Sequence, residues 1–101
     1  MLADLEHIMR ITDGKTQSEI ERDEILTDSV MFRLIQIAEN SEKLTREFKE
    51  ANAGIPWRAI KGMRNTIVHN YGIVDLSVIY DTVTKSIPEF YNQLKKLLIE
   101  V

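Results

Sequence analysis

The sequence predicts an all-α protein, an up-and-down bundle of four to five helices. Apolar residues recur mostly at three- and four-residue spacing, which is the helical period. Only four glycines and two prolines punctuate 101 residues. The segments between them are joined by short connections, as antiparallel neighbours in a bundle require.

The first helix is expected from about Leu2 to Ile11, with Leu2, Leu5, Ile8 and Met9 on one face, and Asp13-Gly14-Lys15 stops it. Thr16 with Glu19 reads as a capping box for a short helical turn through Arg22. A long helix then runs from about Asp28 to Glu50. Its main stripe is Val30, Leu34, Ile37 with Ala38, Ser41, Leu44 and Phe48. Met31 and Ile35 widen the stripe beyond what one small bundle needs, which leaves surface for a partner. Asn52-Ala53-Gly54 ends this helix, and Pro56 opens a third that reaches about Asn70. Tyr71-Gly72-Ile73-Val74 is a short connection, and Asp75 is a natural N-cap for a helix from Leu76 to about Lys85. Ser86-Ile87-Pro88-Glu89 reads as a further capping box, so a break or kink is expected before a last helix to Ile99. With no repeats, low-complexity segments or linkers, residues 1–101 read as one domain.

Composition excludes several classes. There is no cysteine, hence no disulfide framework and no thiolate zinc site. Two isolated histidines do not make a metal cluster, so neither a metal nor another cofactor is expected. No apolar run approaches the roughly 18 residues of a membrane helix. Met1-Leu2-Ala3-Asp4-Leu5-Glu6 carries acids where a signal peptide carries bases, so a cytoplasmic location is expected. The net charge of −3 argues against coating nucleic acid through bulk electrostatics. Its distribution is uneven: residues 1–54 hold seven Lys/Arg against twelve Asp/Glu, and residues 55–101 hold six against four. Any RNA contact would be local and would fall in the basic second half.

That half contains Gly62-Met63-Arg64-Asn65-Thr66-Ile67-Val68-His69-Asn70-Tyr71. Arginine offers phosphate a planar fork of donors. Histidine exchanges a proton near neutral pH. Together they are a minimal kit for cutting a phosphodiester without metal. With Ile60 as origin and about 100° per residue, Pro56, Met63 and Ile67 fall in the core stripe. Arg64, Val68, Lys61, Asn65 and His69 spread from about 40° to 180° on one flank. Plainer readings stand beside the chemical ones. Arg64 pairs equally well with an acid of the long helix, Glu39 or Glu42. His69 suits a helix C-terminus, and Tyr71 suits half-buried packing with a wet hydroxyl. His7 has no chemical neighbours in sequence and reads as structural, and Trp57 reads as a core anchor for the motif helix.

Pro56-Trp57, the run from Ile60 through Tyr71 and Val74-Asp75 closely resemble the HepT-like proteins, the minimal HEPN ribonucleases of bacterial and archaeal toxin–antitoxin pairs. Leu34-Ile35-Gln36-Ile37-Ala38-Glu39 resembles the family's long second helix, and Pro88-Glu89-Phe90 its final helix. The resemblance covers essentially the whole chain; the first helix is a little short, and Ala38 stands where many relatives have glycine. It implies a HEPN-like bundle that forms a homodimer or higher assembly, with both motif helices lining one composite cleft. It implies metal-independent RNA cleavage in which the 2′-hydroxyl attacks the adjacent phosphate. Carried onto this chain, His69 is the acid/base group, Arg64 stabilises the phosphate, and Asn65 and Lys61 support them. Tyr71 is the site where a cognate nucleotidyltransferase antitoxin adds AMP. The rival reading is a non-catalytic helical partner of a nucleotidyltransferase, binding nucleotide or positioning substrate through the same flank. A third is a dimerisation bundle with no ligand.

Overall fold

The computed structural model describes the backbone of residues 1–100 and the side chains of residues 1–97, so the last residue of the expected 1–101 domain lies outside it. The described residues form helices and turns without a strand. Helix α1 (Leu2–Thr12) buries Leu5 and Ile8. The chain turns at Gly14, whose φ of 71° is left-handed backbone that glycine adopts without strain. Thr16 then caps α2 (Gln17–Arg22): its hydroxyl accepts from the Glu19 N–H, and the Glu19 carboxylate accepts from the Thr16 N–H, each at 3.1 Å. The expected box is therefore formed.

The long helix is corrected at both ends. It begins earlier, as α3 (Glu24–Glu42), because Asp23 captures the Leu26 N–H at 3.0 Å. It also ends earlier, in a tightened turn where Lys43 and Leu44 donate to Asn40 and Ser41. Thr45 then accepts from the Phe48 N–H and starts α4 (Arg46–Ala51) as a separate helix. Hydrophobic period cannot register such a restart, since the stripe looks continuous across it. Val30, Leu34, Ile37, Ala38 and Ser41 are buried as expected, whereas Phe48 is 38% exposed. Met31 is also core, at 4% exposure, so it leaves no surface for a partner. The cause is that α1 and α5 both pack on α3, and α2 adds to them, so more than one stripe is enclosed.

Helix α5 (Trp57–His69) follows Pro56 and ends one residue before Asn70. Trp57 anchors its start. Its indole stands edge-on to Phe90 at 6.0 Å, and its N–H donates to the carbonyls of Lys49 and Asn52, which close α4. Ile67 is fully buried against the core formed with Leu5, Ile8, Val30, Ile37, Ile79 and Phe90. A 3-10 turn (Tyr71–Ile73) leads to Asp75, which caps α6 (Leu76–Asp81) through the Ser77 N–H at 2.9 Å.

No break separates α6 from α7 (Ile87–Glu100). A π-turn (Thr82–Ser86) joins them, and the Ile87 N–H reaches back to the Thr82 carbonyl. Proline in a helix lacks a donor and crowds the preceding turn. The widened turn accommodates Pro88 without a break, so Ser86 lies inside the helical run instead of capping a new one. Among the described residues no helix is long and apolar enough to cross a membrane.

Candidate active site

Helices α3 and α5 pack side by side, and the motif runs antiparallel to α3: Arg64 meets Glu39, while Tyr71 meets Asp28. Asp28 and Glu39 are eleven residues apart, close to three full turns, so they share one stripe of α3. Phe32 lies on that stripe between them and is 55% exposed. Each end of the motif is thus tied to a carboxylate of α3.

At the Arg64 end, Nε and Nη2 both donate to Glu39 Oε1, at 3.0 and 2.9 Å, and Nη1 donates to Asn65 Oδ1 at 3.0 Å. A guanidinium has five N–H groups, so two remain free for an incoming anion. Lys61 reaches Glu42 at 3.8 Å; both are well exposed, and such a pair is weak. Ala38, Glu39, Glu42, Lys61, Arg64 and Asn65 line a recess of about 220 Å³. The structure therefore brings three of the expected residues together, Lys61, Arg64 and Asn65. It also shows the plainer pairing of Arg64 with Glu39.

His69 is not part of that recess. It is the last residue of α5 and exposed, on the flank that also carries half-open Val68. Tyr71 is 47% exposed, and its hydroxyl donates to Asp28 Oδ1. That hydrogen bond, with some desolvation and the charges of Asp28 and Glu24, pushes its ionisation up to about 12. Sequence reasoning missed Asp28. The signal was present, since Asp28 lies on the same stripe as Glu39, but the expected helix started at Asp28 and treated it as a terminus.

The other histidine is held elsewhere. His7 Nε2 lies 3.2 Å from Ser29 Oγ, and Arg10 Nη2 lies 3.1 Å from its Nδ1. Because arginine only donates, Nδ1 accepts and Nε2–H points to Ser29. Desolvation first, then the Arg33 and Arg10 charges, lower its pKa. A histidine donating to the serine does not act as its base, which fits the structural role expected for it. Among the described residues no three His, Asp or Glu side chains are grouped to hold a metal ion.

Fold and flank together define a small helical protein organised around one arginine–histidine helix. The chain matches the family model described as Ribonuclease HepT-like over residues 1–97, and it belongs to that family. It is 32% identical, over 97% of its length and 88% of the relative's, to a protein of Caldanaerobacter subterraneus subsp. tengcongensis named "Putative RNase". It is 28% identical, over 95% of its length and 91% of the relative's, to the "Probable ribonuclease HepT" of Thermococcus cleftensis. A Methanocaldococcus jannaschii protein named "Gamma-glutamylcyclotransferase and putative RNase" is 31% identical over the whole chain, which spans 46% of that protein's length. No solved structure matches.

Proposed function

We propose that the chain, as a single HEPN-like domain over residues 1–101, is a metal-independent RNA endonuclease and the cytoplasmic toxin of a toxin–antitoxin pair. The observation that carries this is the Arg64 guanidinium, fixed at the α3–α5 seam by Glu39 and Asn65 with two N–H groups uncommitted. Arg64 receives a backbone phosphate on those two donors and stabilises the charge that builds as the 2′-hydroxyl attacks. His69, exposed on the same helix, exchanges the proton. Asn65 holds the fork, and Lys61 adds positive charge at the recess mouth.

One such pair is sparse for gripping RNA, so the active form is a two-fold homodimer with both motif helices facing one cleft. Exposed Phe32 and Val68 with partly buried Ile35, instead of buried Met31, are the residues of this face that the interface covers. Tyr71 stays at the rim, where a cognate nucleotidyltransferase adds AMP to its hydroxyl. The anionic group then blocks RNA and repels its backbone.

One observation favours a second reading, a non-catalytic nucleotidyltransferase partner: Arg64 and Lys61 are each already paired with an acid, leaving little net positive charge for RNA. Incubating purified protein with RNA in EDTA separates the two. Cleavage should persist in EDTA and vanish in His69→Ala. It should fall nearly as far in Arg64→Lys, since an ammonium lacks the planar fork. Full activity in His69→Ala, or a requirement for added divalent metal, would overturn the mechanism. An inert wild-type protein would favour the second reading.

A further inference from the structure

The contact between Tyr71 and Asp28 joins residues 43 positions apart across the α3–α5 seam. Burial does not demand it. A phenol in a half-exposed residue is satisfied by water, so nothing would be left unpaired if the carboxylate were absent. What the contact adds is orientation of the hydroxyl and a proton acceptor within hydrogen-bond reach, the arrangement of a nucleophile beside its base. Flanking the pair, Ile25 and Ile73 are 84% and 81% exposed, an apolar foothold for an enzyme approaching that hydroxyl.

We propose that Asp28 is the general base through which this chain assists its own modification, holding the Tyr71 hydroxyl and taking its proton during nucleotidyl transfer. The inference rests on the reading of Tyr71 as the AMP acceptor. The co-reactant is a nucleoside triphosphate presented by the nucleotidyltransferase. The Tyr71 oxygen forms a bond to the α-phosphorus, and the bond from that phosphorus to the oxygen bridging to the β-phosphate breaks. Pyrophosphate leaves with the electron pair, and the proton passes from the phenol to Asp28 Oδ1 and on to water.

The hydrogen bond to Asp28, with some desolvation and the charges of Asp28 and Glu24, makes a free phenolate scarce at neutral pH, with ionisation held at about 12. Proton loss therefore has to accompany bond formation, when phosphorus takes up the developing charge. Once esterified, the oxygen has no proton for Asp28, and the new anion is repelled by both carboxylates. The modified side chain turns away from this stripe of α3.

The test uses the full chain, its Asp28→Asn and Tyr71→Phe variants, a minimal nucleotidyltransferase and ATP labelled at the α-phosphate. Asparagine keeps an oxygen acceptor for the phenol but cannot take its proton, and circular dichroism checks that the exposed substitution leaves the fold intact. Asp28→Asn should slow labelling by at least about tenfold at neutral pH. Its rate should climb with pH where the wild-type rate is flat, because the phenol must now ionise unaided. Ultraviolet titration should show the Tyr71 ionisation falling from about 12 toward the ordinary 10.0. Wild-type labelling matched in rate and pH profile by Asp28→Asn would overturn the role of Asp28 and leave Tyr71 as the acceptor. No label on the wild type, or equal label on Tyr71→Phe, would overturn the acceptor reading and the role of Asp28 with it.

Discussion

Arg64 shows how a charged side chain is prepared and restrained by the same contact. Glu39 takes the Nε edge of the guanidinium and Asn65 accepts one further N–H, which leaves two donors uncommitted and holds the fork in one orientation before any ligand arrives. The pair is partly exposed, 34% for Arg64 and 46% for Glu39, so solvent screens it. Glu39→Ala should therefore change unfolding free energy by less than about 1 kcal/mol. In RNA cleavage assays it should lower kcat by roughly tenfold, because the fork loses its fixed geometry. Tyr71 gives a pH signature of its own. Folding raises its ionisation from 10.0 to about 12, which favours the neutral phenol in the folded state. Its contribution is fully present below pH about 10 and is lost as pH rises toward about 12. Urea unfolding of wild type against Tyr71→Phe should show a constant difference up to about pH 9 and a shrinking one above about pH 10.

At the scale of elements, the motif helix is positioned from below and from its start. Ile67 fills the core beneath Arg64 and His69, and Trp57 locks the first turn to the end of α4. Truncating Ile67 to Ala leaves a fully enclosed void, and chemical denaturation should show a loss of about 3 kcal/mol. Removing the Thr45 cap should cost less, about 1 kcal/mol, because only one hydrogen bond at the head of α4 is lost. The π-turn at Thr82–Ser86 has a comparable local logic, opening the helix where Pro88 would otherwise crowd it.

Across the whole molecule, the uneven charge acquires a meaning. The acidic first half contributes Asp28, Glu39 and Glu42 on α3, and the basic second half contributes Lys61 and Arg64 on α5. The two halves meet along one seam, where Lys61 and Arg64 each face an acid of α3. Between the carboxylate ties, Phe32 and Val68 remain exposed on adjacent helices. Light scattering at micromolar concentration should give twice the mass of one chain, and Phe32→Glu should give monomers with reduced cleavage. A wild-type monomer would remove the composite cleft from the proposed mechanism.

Much of the local signal was legible in the chain. The Thr16–Glu19 box, the stop at Gly14, Pro56 before the motif helix and the Asp75 cap all depend on residues within four positions of one another. The all-helical class followed from period alone, and the family from motif spacing. Period did not show that α3 starts at Asp23 and yields to α4 at Thr45, because capping competes with a stripe that continues through it. Tertiary structure alone decided the rest. Met31 became core because neighbours enclose α3 on more than one side, which no count of apolar positions on one helix can reveal. The pairings Arg64–Glu39 and Tyr71–Asp28 span 25 and 43 residues and exist only because two helices run antiparallel at one particular register.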